Sequence, residues 1–214
     1  MKIVKLLVAL VVLSTSTFAQ SADSVFLRKI YDEALVNGKA YQNLNYLCKQ
    51  IGPRLSGSVQ AQKAVDWTKK LMESYGFDRV YLQEVLVPHW VRGEKEIGKI
   101  LVGKKDLVVP IAALGGSVGT PKQGLTAEII ELQSLAELKT LGEDKIKGKI
   151  AFFNRAFDPK PIETGTSYGM AGDQRRAGAS EAAKYGAVGV IVRSLTHAID
   201  DYPHTGAMNY EANG

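Results

Sequence analysis

The chain of 214 residues has a single cysteine, Cys48, and only three histidines. One cysteine excludes an intramolecular disulfide framework and any cysteine-based metal spacing, so the core has to hold the fold unaided. Neither His-Glu-x-x-His, nor a phosphate-binding loop, nor a dinucleotide fingerprint is present. There is no excess of one charge to steer a polyanion. Lys+Arg number 27 against 22 Asp+Glu, and without Lys2 and Lys5 the balance falls to 25 against 22, or +3. Basic residues are scattered, and the densest later pair, Arg175-Arg176, reads as part of a helix face, so nucleic acid is not expected as a partner. Internal repeats and low-complexity tracts are missing. The longest continuous apolar run, Leu6–Leu13, falls far short of the roughly 20 residues that span a bilayer.

What that run does fit is a leader. Met1–Lys5 is a basic start, Leu6–Leu13 an apolar stretch, and small residues lead to Ala19-Gln20. This is the layout of a cleavable secretory signal with cleavage expected after Ala19, which implies a secreted or periplasmic protein with no membrane partner after cleavage. The rest, 45% hydrophobic and 23% charged, has the composition of a globular protein.

Helical periodicity dominates residues 23–76. Val25, Phe26, Ile30 and Leu35 mark a first helix stopped by Asn37-Gly38. A second covers about 40–51 before Gly52-Pro53. A third starts at an N-cap Ser58, carries a Val65–Leu71–Met72–Tyr75 stripe expected in the core, with Trp67 at its edge, and stops at Gly76. On the second, Tyr41, Leu44, Leu47, Cys48 and Ile51 share one apolar face, which predicts a buried, inert thiol. Period-two segments follow at 80–87, 96–102 and 125–132. Ser134-Leu135-Ala136-Glu137 matches a capping box. Then come a strand at 148–155, a loop with Pro159, Pro161 and Gly165, a helix at 173–186 and a strand at 187–194. That order predicts a parallel pair joined by a crossover helix. Residues 195–214 show no sustained period.

Chemistry is sparse. Gly115-Gly116-Ser117-Val118-Gly119 fits a nucleophile elbow, with Asp200 or Asp201 and then His204 in the matching chain order. Thr120-Pro121 and Gly124 interrupt the helix that such an elbow needs, so a Gly-rich connection is the plainer reading. His197, Asp200, Asp201 and His204 have side chains suited to zinc, but a solvated loop with Tyr202-Pro203 fits them better. His89 reads as structural.

Taken in order, "IGPRLSGS" (51–58), "VPHWVRG" (87–93), "ALGGSVGT" (113–120), "IKGKIAFFNR" (146–155), "GAVGVIVRS" (186–194) and "PHTGAMNY" (203–210) resemble the carboxypeptidase Q-like zinc exopeptidases. The segment from about Val108 on is similar to a protease-associated domain. The resemblance implies an α/β fold: N-terminal helices and first strands of an α/β/α zinc-exopeptidase domain at 20–107, and an incomplete, β-rich protease-associated domain at 108–214. It implies two zinc ions in the whole enzyme and dipeptides or short peptides as substrates. A homodimer is among the expected assemblies, as one way to cover an unfinished sheet edge. The family's ligands include a His-x-Asp segment, and this chain has none. No catalytic or metal-binding residue is therefore carried over. The ligands are expected beyond Gly214, and the chain alone is expected to be inactive and to hold no zinc. Arg54, Ser56, His204 and Thr205 are the residues expected to face the active-site cleft. Two other classes compete with this reading: a non-catalytic protease-associated-type binding module, and a serine hydrolase using Ser117.

Overall fold

The computed structural model describes residues 21–211. The proposed leader, its cleavage site at Ala19 and the last residues up to Gly214 lie outside the described residues. Among the described residues no helix is long and apolar enough to cross a membrane. The chain is mixed α/β and divides into two compact units, one up to Val87 and one from Pro88.

The first unit is helical. α1 (Ala22–Asn37) opens on Ser21, whose hydroxyl accepts from the Ser24 amide. α2 (Ala40–Tyr46) runs into a π-helical turn at Leu47–Ile51, closed by Gly52 N–H on Leu47 O at 3.0 Å. α3 (Val59–Ser74) starts as expected at Ser58, whose Oγ accepts from Ala61 N–H at 3.1 Å. Gly76 follows it with φ 75°, the left-handed stop that a side chain would resist. The expected apolar stripes form but cover nothing. No residue of α1, α2 or α3 is buried, and Val65, Met72 and Tyr75 are exposed. Trp67 is half-buried, stacked on Tyr46 at 4.8 Å.

Two expectations fail here for identifiable reasons. Cys48 is exposed rather than buried. It sits in the π turn, on a helix with no buried residue, where the stripe residues Tyr41 and Leu44 are exposed as well. Residues 80–87 have strand-like alternation but form no strand, since no described segment pairs with them and Leu82, Val85 and Leu86 lie exposed.

The second unit holds the core. β1 (Gly98–Val102) and β2 (Lys105–Val109) form an antiparallel hairpin in which Gly103, φ 61°, supplies the positive φ of a two-residue turn. β3 (Ile129–Leu132), β4 (Ile150–Phe153) and β5 (Gly189–Val192) form a parallel sheet in that order. α4 (Ala136–Leu141) and α5 (Glu143–Ile146) connect β3 to β4, and α6 (Thr164–Ala183) connects β4 to β5. The expected parallel pair with its crossover helix is present. Leu132, Leu138, Ile146, Ala151, Phe153 and Ala182 make the buried cluster.

At α4 the capping box is half formed. The Glu137 carboxylate reaches back to accept from the Gln133 amide, but the Ser134 hydroxyl donates to Glu137 instead of accepting from an amide. α6 starts nine residues before the helix read from sequence. Gly165, Gly169 and Gly172 look like loop residues, yet Ala171 and Gly172 are buried in this helix. Further along, Gly178 lets α6 approach the sheet, and a Cβ there would lie 2.9 Å from the Phe153 ring.

That contact makes a matched pair of substitutions informative. Gly178→Ala should destabilise by about 1–3 kcal/mol through overpacking. Gly169→Ala, with nothing within 4 Å, should stabilise by up to about 1 kcal/mol through helix propensity. Urea unfolding of the two variants checks both signs.

Candidate functional site

The Gly-rich segment 113–118 lacks a ladder of its own, so side chains hold its backbone. Both backbone polar groups of Ala113 are met. Its N–H donates to Glu96 Oε1 at 2.7 Å, and its carbonyl accepts from Arg92 Nη2 at 2.9 Å and from Thr205 Oγ1 at 2.7 Å. Arg92 Nη1 also pairs with Glu96 Oε1 at 2.5 Å, and its guanidinium lies 5.1 Å from the Trp90 ring centroid. Trp90 Nε1–H reaches Ser117 O at 2.9 Å.

Residues 203–211 lie along the same segment as a strap. Gly115 and Ala207 form an isolated parallel bridge, with Gly115 N–H on Gly206 O at 2.7 Å and Met208 N–H on Gly115 O at 2.9 Å. Gly116 has φ 90°, and a Cβ on it would lie 3.0 Å from Met208 O, so the close approach calls for glycine. Tyr210 OH accepts from Val118 N–H. The far end of the strap is fastened to α6: Asn209 N–H donates to Arg176 O, Glu211 N–H to Ser180 Oγ, and Glu211 pairs with Lys184. Met208 is buried. The irregularity expected for 195–214 is found through Glu211, but its last described part is pinned rather than solvated.

The residues singled out in the sequence are placed as follows. Arg54 closes the end of the π turn, with Nη1 donating to Leu47 O and Gly52 O at 2.8 and 2.6 Å, and Ser56 is exposed in the loop after it. His204 and Thr205 belong to the strap. The His204 amide donates to Ser194 Oγ at 3.0 Å, and its ring meets Tyr168 edge-on at 5.7 Å. His89 is exposed.

Neither chemical constellation assembles. Ser117 lies in a turn closed by its own N–H on Leu114 O, with no helix before Ala136, so the strand–turn–helix of an elbow is missing. Among the described residues no hydrogen bond joins Ser117 to His204, Asp200 or Asp201. The His197 ring packs edge-on against Phe157 at 4.5 Å, away from His204 on Tyr168, and Asp200 accepts from the Tyr202 amide. No group of three or more His, Cys, Asp or Glu suited to a metal occurs among the described residues, so these side chains do not fit a zinc centre. The expectation of ligands beyond Gly214 concerns a stretch outside those residues, and the structure of 21–211 does not bear on it.

The Trp90–Arg92–Glu96 clamp escaped sequence reasoning. Its one signal is a Trp and an Arg in a stretch with no helical or strand period, followed by a Glu at the start of the 96–102 segment, where polar side chains replace a ladder.

Comparison with known proteins supplies what the chemistry does not. Carboxypeptidase Q of Xenopus laevis is 37% identical over 196 residues, covering 92% of this chain and 39% of the relative. Carboxypeptidase Q of Bos taurus is 33% identical over 194 residues, with 91% and 38% covered. The chain belongs to the carboxypeptidase Q-like family. The solved structure of a peptidase M28 precursor from Shewanella amazonensis SB2B superposes with a TM-score of 0.76 at 36% identity, covering 87% of this chain and 41% of that one. No family model matches the chain. This carboxypeptidase Q-like chain thus spans about two fifths of the length of the relatives it matches.

The clamp also has a pH signature. The Glu96 carboxyl is held below its ordinary value of 4.5 by hydrogen bonds from its own amide and from Ala113, helped by the Arg92 charge. A pKa lowered in the folded state contributes stability that is full above the unfolded value and is lost as pH falls through the folded one. Glu96→Gln should therefore be less stable than the parent at about pH 7, with the gap narrowing as pH drops below about 4.5. Urea midpoints across that range measure it.

Proposed function

We propose that this chain is part of a secreted, zinc-dependent exopeptidase that hydrolyses dipeptides or short peptides. The observation that carries the reading is the 37% identity to carboxypeptidase Q across 92% of the chain. The superposition on a peptidase M28 precursor supports it. The zinc requirement rests on the family resemblance. In this reading the metal-binding and catalytic groups belong to the portion of the relatives' length that this chain does not match. Residues from about Val108 on then act as a protease-associated domain. The role of the present residues is to shape and orient: the clamp on Ala113 and the strap fix a surface at 113–118 and 203–207, against which a substrate-bearing domain can close.

A non-catalytic protease-associated-type module is the second reading: like the first, it expects no metal-binding set among the described residues.

Peptide hydrolysis by the protein expressed from its complete gene separates the readings. Activity that a chelator abolishes and zinc restores, and that Ser117→Ala leaves unchanged, supports the exopeptidase. Activity that resists chelation and disappears in Ser117→Ala replaces it with a serine hydrolase. Peptide binding without hydrolysis selects the binding module. The 214-residue chain on its own is expected to retain no stoichiometric zinc, as measured by metal analysis.

A further inference from the structure

Arg175, on α6, is a cation that the fold holds firmly without a carboxylate. None of the ion pairs among the described residues includes it. Its Nη1 donates to Tyr168 OH at 2.6 Å, and its guanidinium lies over the Tyr168 ring at 5.2 Å. Against it runs the strap backbone at Gly206, where a Cβ would lie 2.8 Å from the guanidinium carbon. Its Nε is buried without a hydrogen-bond partner. His204, two residues earlier on the strap, sets its exposed ring against the same tyrosine.

A solvated arginine needs none of this. Arginine side chains carry about 2 kcal/mol of rotamer entropy, and fixing one in plane removes most of that cost from any later binding event. A planar, weakly hydrated guanidinium with N–H groups to spare is suited to an oxyanion, which accepts charge-assisted hydrogen bonds. The neighbouring arginine does not share this setting, since Arg176 folds back over Gly172. One guanidinium and one imidazole set against the same tyrosine match a monoanion better than a phosphate dianion.

We infer that Arg175 and His204, aligned by Tyr168, form a carboxylate-binding site. On the peptidase reading above, from which this part of the inference follows, the carboxylate is the free carboxyl terminus of a short peptide. The guanidinium N–H groups not used by Tyr168 donate to it, and the imidazole of His204 adds a second donor.

The test reads binding and not turnover. With only three histidines in the chain, ring-labelled histidine gives a simple spectrum in which His204→Gln assigns the relevant signal. The purified protein is titrated, without added metal, with acetyl-dialanine as the free acid and as its amide. The acid should shift the His204 signal saturably. The amide should bind at least about tenfold more weakly, the factor that one charge-assisted hydrogen bond supplies. Arg175→Lys should weaken acid binding by about tenfold, and Tyr168→Phe should weaken it by a smaller factor while leaving the ring in place. Equal binding of acid and amide overturns the site, and this comparison needs no variant. Arg175→Gln with acid binding unchanged overturns it as well, leaving the arginine as a fastening for the strap. Separation of acid from amide, with no hydrolysis by the protein expressed from its complete gene, keeps the site and sinks the peptidase reading. Hydrolysis by that protein, with no acid preference here, does the reverse.

Discussion

The irregular part of the second unit depends on the backbone of a single residue, Ala113. At Ala113 the chain leaves the end of a hairpin and enters a Gly-rich stretch with no ladder to satisfy it. A partly buried residue there needs partners for both its N–H and its carbonyl. Glu96 meets the first, and Arg92 and Thr205 meet the second. Because Thr205 sits on the strap, the same three hydrogen bonds also fix where residues 203–211 lie. Gly115 then adds two backbone hydrogen bonds to the strap, and beside it Gly116 approaches Met208 O more closely than a side chain would allow. Three stretches far apart in sequence meet at this point, and each is among the segments that carry the family resemblance.

The two units differ in how far their local structure is supported by packing. In the second, the inner face of the parallel sheet is closed by α4, α5 and α6 over Phe153 and Leu132, which have no exposed surface. In the first, the helices are properly capped at Ser21 and Ser58, but their apolar stripes bury nothing. Capping decides where a helix starts, whereas burial decides how much it contributes to stability: the first unit has the side-chain caps, and the second, whose helices carry none, has the burial.

This contrast explains what is legible in the sequence. The strand–helix–strand late in the chain is readable because two short apolar runs flank a helical period and Gly186 terminates the helix, so local signals and tertiary structure agree there. Legibility is lost where a non-local fact decides. The early turns of α6 run through Gly165, Gly169 and Gly172 with Ser167 and Ala171 buried, whereas glycine read alone says loop. The alternation at 80–87 is that of a strand, but a strand exists only with a neighbour. Of the candidate site, the phrases containing Thr205 and the Gly-rich stretch are visible, while their meeting at Ala113 is not. The tethering of the strap by Arg176 and Ser180 likewise depends on contacts about thirty residues away in sequence.

The π turn at Leu47–Ile51 places one residue more in a helical turn than the α repeat accommodates, and Arg54 reaches back to the carbonyls of Leu47 and Gly52 at its end. Dropping any one of those five positions would let the helix rewind and carry Leu47 O away from the guanidinium, whatever residues remained. Exchanging one side chain there for another leaves the winding intact. In this segment of the chain, the number of residues is held more tightly than their identity.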